Sequence, residues 1–137
     1  MPSVCFYFQV HQPYRVKKYR VFDIGEDPNY FNDQGENNLN NSRIFSKVAG
    51  KSYIPATKLI LELLNRHKEF KAAYSFSGTV LEQAQKEAPE LLDLWKRAVD
   101  TGRVEILDET YHHSLSFFYS LPEFERQVEM HRDLVRK

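Results

Sequence analysis

One cysteine, Cys5, stands in 137 residues. A single thiol cannot close an internal disulfide, and its place in the apolar run Val4–Phe8 fits a buried small hydrophobe rather than a nucleophile. A reducing compartment is expected. Charge of one sign is also missing: 19 Lys and Arg balance 19 Asp and Glu, for a formal net charge of +0. With a pI near 7.0, the chain carries no basic footprint for nucleic acid or an anionic membrane surface. Long hydrophobic runs are lacking too, since Val4–Phe8 and Ile60–Leu64 fall far short of the roughly 20 residues a membrane helix needs. The start Met1-Pro2-Ser3-Val4 has no cationic segment, and no small-residue cleavage site follows. These absences predict a soluble, cytoplasmic protein. The motif inventory is equally short: no Gly-rich phosphate loop, no His-Glu-x-x-His, no Gly-x-Ser-x-Gly and no paired cysteines.

What is present reads as alternating strands and helices. Ser3–Val10 is rich in β-branched and aromatic residues and nearly continuous in apolarity, as expected of a strand covered on both faces in a parallel sheet. His11–Ser52 has no such pattern, and Asp23–Arg43 collects six Asn, three Asp, two Glu and two Gly. This is a long loop that leaves room for short helical turns; a connection of about 40 residues far exceeds the usual strand-to-helix link of about 2 to 6, and such length is usually functional or disordered. Tyr30, Phe31, Leu39, Ile44 and Phe45 favour an ordered flap. Ser52 can cap a helix with Pro55 in its first turn and Ala56, Leu59, Ile60, Leu63, Leu64 and His67 on one face.

Lys71–Phe76 then reads as a second strand, and Ser77-Gly78-Thr79 as a turn into a helix that Pro89 divides. After Pro89, Leu91, Leu92, Trp95, Ala98 and Val99 form another stripe, closed by Gly102 as a left-handed cap. Val104–Leu107 is the third strand. Past a loop over Asp108–Tyr119, Ser120-Leu121-Pro122-Glu123 spells a capping box, with Phe124, Val128, His131 and Val135 on one face. The order specifies an α/β chain with a parallel sheet and right-handed crossovers. The last helix runs into Lys137 without a stop signal, so residues 1–137 are expected to be the N-terminal portion of a longer protein.

In parallel α/β architectures, reactive groups gather at the carboxyl ends of strands. That rule selects His11-Gln12-Pro13, Ser75–Gly78 and Asp108–Ser114. His11 and Gln12 can grip a sugar hydroxyl, or can serve as a strand stop whose polar groups satisfy nearby backbone. Glu105, among Val104, Ile106 and Leu107, is either a carboxylate pointing into a barrel interior or a surface residue of an edge strand. Asp108, Glu109, His112 and His113 form the densest cluster of titratable groups; they suit acid–base work, ligand orientation or a solvated loop. Since neighbours on an extended segment point to opposite sides, one member of each pair at most faces a common site. Ser77-Gly78 reads as a helix cap rather than a nucleophile.

The strand ending in His11-Gln12-Pro13, the turn at Phe76-Ser77, the run Gly102-Arg103-Val104-Glu105-Ile106-Leu107 and the following Thr110-Tyr111-His112-His113-Ser114-Leu115 together resemble glycoside hydrolase family 57, the α-amylase and 4-α-glucanotransferase type. The resemblance implies three β/α units of an incomplete (β/α)7 TIM-like barrel. It also implies a retaining mechanism on α-glucans, with His11, Gln12, Glu105 and His113 as substrate-binding residues, and neither metal nor cofactor. By the same resemblance the catalytic carboxylate pair lies beyond Lys137, Asp108 and Glu109 do not take that role, and the fragment is inactive. Tyr7, Tyr14, Tyr111, Phe117 and Phe118 can stack on sugar rings or belong to the core. Two other readings remain: a metal-dependent polysaccharide deacetylase using His11, Asp108, His112 or His113 as ligands, and a non-catalytic carbohydrate-binding module.

Overall fold

The computed structural model describes residues 4–31 and 33–136; Ser3, the expected start of the first strand, and Lys137 lie outside them. Strands β1 (Tyr7–Val10), β2 (Ala72–Phe76) and β3 (Val104–Ile106) are parallel and adjacent in that order. The register pairs Tyr7 with Ala73, Val10 with Phe76, and Ala73 in turn with Glu105. Among the described residues, helices α1 (Asn41–Val48), α2 (Ile54–Arg66), α3 (Gly78–Glu87), α4 (Pro89–Asp100) and α5 (Leu121–Val135) complete the frame. None of them is long and apolar enough to cross a membrane.

Side chains alternate across a strand, so the register assigns each residue to a face. Val10, Ala72, Tyr74 and Phe76 point to the helices and share one core with Phe45, Ile60, Leu61, Leu64, Val80, Leu91 and Trp95. Phe8, Val104 and Ile106 pack against the same cluster. Aromatic rings hold this layer together: Tyr74 lies 5.3 Å from Phe76, nearly coplanar, and Phe76 lies 4.6 Å from Trp95. The Trp95 indole N–H donates to the buried Thr57 hydroxyl at 3.1 Å, and that hydroxyl donates in turn to the Tyr53 carbonyl.

Four expectations need correction. Within residues 4–136 the first strand is covered on one face only: Tyr7 is 49% exposed, while Phe8 and Val10 pack against the core. Only the central strand β2 is nearly enclosed. Cys5 is exposed rather than buried, because it precedes the paired part of β1. The helical segment begins at Asn41, not at Ser52, since the Asn40 side chain caps it by accepting from the Arg43 amide at 2.9 Å. Ser52 sits instead in a five-residue π-helical turn, Ala49–Tyr53, that links α1 to α2. The face α2 buries also differs from the expected one: Thr57, Ile60, Leu61 and Leu64 go inside while Leu59 is left outside.

Other expectations hold. Gly102 ends α4 at φ +69 and Pro89 opens it. The Ser77 and Ser120 hydroxyls cap α3 and α5 by accepting from the amides of Val80 and Glu123. In the long connection between β1 and α1, described residues contact one another and the start of α1. Val16 and Phe31 form an antiparallel bridge, and the Lys17 amide donates to the Tyr30 carbonyl at 2.9 Å. Asn41 binds both the amide and the carbonyl of Arg15, tying the flap to the start of α1.

Candidate functional site

The face of the sheet turned away from the helices carries Tyr7, Gln9 and His11 from β1 and its end, Ala73, Ser75 and Ser77 from β2 and its end, and Glu105 from β3. Every second residue of these strands is thus polar or small on one side and apolar on the other. Hydrogen bonds order the open face. The Tyr7 and Ser75 hydroxyls lie 2.7 Å apart. His11 Nδ1 lies 2.8 Å from Ser77 Oγ, which is 3.0 Å from Thr79 Oγ1. That contact commits Nδ1 and leaves Nε2 without a partner among the described residues.

The loop after β3 brings the second imidazole. Thr110 organises it: its hydroxyl donates to the Ser114 carbonyl and accepts from the Ser114 amide, and its carbonyl accepts from the His113 amide. This turn holds His113 at φ +54, a left-handed conformation costing a non-glycine residue about 1–2 kcal/mol. Strain of this kind persists where surrounding contacts over-determine it. The His113 ring stands 4.6 Å from the His11 ring, with the Gln9 amide 3.4 Å from its nitrogens. Glu109 Oε2 lies 3.0 Å from His113 Nδ1. Burial, and secondly the nearby His113, lowers the His11 pKa below its ordinary 6.5, so His11 is held neutral near pH 7.

His11 and His113, 102 positions apart, therefore meet. Gln12 follows His11 in the chain but is buried, and its carbonyl accepts from the Gln83 side chain at 2.7 Å. Glu105 shares the open face but is set deeper, level with Tyr7 and so about 13 Å back from His11 along the strands at roughly 3.3 Å per residue. Of the paired acids and histidines, Glu109 and His113 turn to each other. Asp108 turns away: one oxygen lies 3.1 Å from Arg132 Nε, the other 3.9 Å from Nδ1 of the fully buried His131. His112 lies edge-on to Tyr111 at 4.9 Å. The ligand set a deacetylase metal would need is thus pulled apart, and no group of three metal-ligating side chains forms among the described residues.

Sequence reasoning missed several members of this array. Ser77 acts both as a cap and as the partner of His11. His131, read as one residue of a helical stripe, is fully buried, and its Nε2–H donates to the Phe76 carbonyl at 2.7 Å, pinning the end of β2 to α5. The available signal was parity, since Tyr7, Gln9 and His11 recur at every second position. Tyr111, a candidate sugar platform, is buried over Gly78 with its hydroxyl donating to Glu82 at 2.5 Å.

The family described as Glycosyl hydrolase family 57 matches residues 5–137. The chain belongs to this family. It is 42% identical over 135 residues to a Methanocaldococcus jannaschii protein named "Putative alpha-amylase", a match covering 98% of this chain and 28% of that protein. It is 29% identical over 96 residues to the "4-alpha-glucanotransferase" of Thermococcus litoralis, covering 69% of this chain and 14% of that one. The crystal structure of 4-alpha-glucanotransferase from Thermococcus litoralis superposes with a TM-score of 0.67 at 23% identity, covering 96% of this chain and 17% of that chain. That likeness extends to the fold: the three parallel strands and their helices are consistent with a fragment of the family 57 barrel. The family 57 chain described here spans less than a third of the length of these relatives.

Proposed function

We propose that this family 57 chain forms one wall of the α-glucan cleft of a retaining glycoside hydrolase or transglycosylase. It would supply three β/α units of an incomplete (β/α)7 barrel, residues 1–137 being the N-terminal portion of a single catalytic domain in the cytoplasm. The observation that carries this reading is the meeting of His11 and His113 on the polar, open face of the sheet. A neutral imidazole whose Nδ1 is committed to Ser77 presents Nε2 to a sugar hydroxyl. Gln12 stiffens the end of β1 from behind, and Glu105 lies where a further ring of an oligosaccharide would reach.

Retaining hydrolysis needs two carboxylates about 5 to 5.5 Å apart, one to attack the anomeric carbon and one to protonate the leaving oxygen. The acids near the rim are otherwise engaged: Glu109 with His113, Asp108 with Arg132. The chain therefore contributes binding and orientation, and the carboxylate pair is assigned to none of its residues. Titration with maltoheptaose tests this. Saturable binding that perturbs the His11 and His113 ring resonances is expected, with affinity falling about tenfold or more in His11→Ala or His113→Ala. The bound glucan should stay uncleaved. Stoichiometric zinc uptake without sugar binding would replace the glucan reading with the deacetylase one.

A further inference from the structure

The sequence offers Glu109 as a stray acid beside Asp108, and the structure gives it a task. Its side chain is 11% exposed, and one oxygen lies 3.0 Å from His113 Nδ1. The other oxygen is buried and has no partner among the described residues, so this carboxylate is committed to a single contact. A carboxylate only accepts, which requires the proton of a neutral His113 ring to sit on Nδ1. His113 itself is held at φ +54 by the Thr110 turn, so backbone and side chain are fixed by independent contacts. The groups facing this ring are Glu109 from its own loop and His11 and Gln9 from β1 and its end; with Nδ1 protonated, the Gln9 amide N–H, 3.4 Å from Nε2, donates to the same acceptor that a sugar hydroxyl would take over.

We propose that Glu109 is a positioning residue that fixes the His113 ring and its tautomer, so that Nε2 faces the cleft as an acceptor for a sugar hydroxyl. The hydroxyl that His113 selects is then one that can donate. The inference rests on the glucan reading for its ligand, but the tautomer does not depend on any ligand. Without the carboxylate, an imidazole in water favours the opposite tautomer, with the proton on Nε2, and that atom becomes a donor.

Long-range proton–nitrogen correlation spectra, recorded at a pH where the imidazoles are neutral, read the tautomer directly. The unaltered chain should show His113 protonated on Nδ1. Glu109→Ala should move the proton to Nε2, while Glu109→Gln, which keeps an acceptor oxygen, should retain it on Nδ1. The His11 signals, anchored by Ser77, should stay in place in both variants and so report that the fold is intact. Affinity for maltoheptaose should fall about tenfold in Glu109→Ala and be largely restored in Glu109→Gln. A His113 ring that keeps its Nδ1 proton in Glu109→Ala overturns the proposal, and so does unchanged maltoheptaose affinity once the tautomer has moved. If the tautomer moves as expected and no form binds maltoheptaose, the glucan reading fails while the positioning role of Glu109 stands.

Discussion

The two faces of the sheet are built from the same three strands, yet they are held by different physics. On the helix side, Phe8, Tyr74, Phe76 and Trp95 form a continuous run of rings 4.6 to 5.3 Å apart, and what stabilises them is apolar area removed from water. On the other side, hydrogen bonds of 2.7 to 3.0 Å join Tyr7 to Ser75 and His11 to Ser77 and Thr79; because Ser75 and Ser77 are buried, these bonds matter by keeping polar groups satisfied rather than by removing apolar area from water. The difference teaches that parity of position separates apolar burial from polar ordering. Even positions of β1 pack into the core, and odd positions tie polar groups to β2 and its end.

The sharpest way to break this contrast is to damage the helix side. Trp95→Ala should destabilise the chain by about 3–5 kcal/mol, since it removes a buried ring and strips the Thr57 hydroxyl of its donor. The shift in the urea midpoint measures it, and a loss below about 1 kcal/mol would show that the ring layer is not what holds the helices to the sheet.

Gly78→Ala probes the junction between the faces. A Cβ there would meet the Tyr111 ring at 2.3 Å, and Tyr111 is held from behind by its bond to Glu82. Overpacking against a ring that cannot swing freely should cost about 1–3 kcal/mol, read in the same unfolding experiment. On the open face, Tyr7→Phe deletes only a hydroxyl bonded to Ser75, so a loss of about 0.5–1.5 kcal/mol is expected, with the half-exposed ring favouring the lower end. A loss as large as that of Trp95→Ala would erase the distinction between the faces.

How much of this was legible in the sequence depends on the length over which a pattern runs. The strand and helix order, the caps at Ser77 and Ser120, the break at Pro89 and the glycine cap at Gly102 all rest on local rules that the chain obeys. Helix α1 was hidden because Asn40, its cap, lies inside an Asn-rich stretch that reads as loop, and Ser52 offered a competing cap twelve residues later. The double coverage expected of β1 failed for a different reason. A run of aromatic residues looks uniformly apolar, although Tyr7 faces out with Gln9 while Phe8 faces in. In the site, the strand-end rule and the family resemblance brought His11, Glu105 and His113 to one rim; the two histidine rings meet, but Glu105 stands level with Tyr7, four residues back, and the pairing of Glu109 with His113 was not foreseen. That contact depends on a left-handed residue in the Thr110 turn, and no propensity places a histidine there.

The smallest expected effect concerns pH, where the two faces differ in window rather than in sign. His11 has its pKa lowered by burial and then by His113, so between its folded value and 6.5 the unfolded chain binds more protons than the folded one. Stability from this group is fully present above pH 6.5 and is lost as the pH falls through the folded value. Glu123, at the start of α5 on the helix side, is held at about 2 by its bonds to Arg126 and then Gln127. Its contribution, small because the group is exposed, is present above 4.5 and is lost only toward pH 2. Between pH 5 and 7 the two are therefore separable. The fall in stability across that range should be shallower in His11→Gln than in the unaltered chain and unchanged in Glu123→Gln. Parallel pH slopes in the unaltered chain and His11→Gln would mean that the open face does not hold His11 neutral, and that the histidine pair is a surface contact rather than a prepared one.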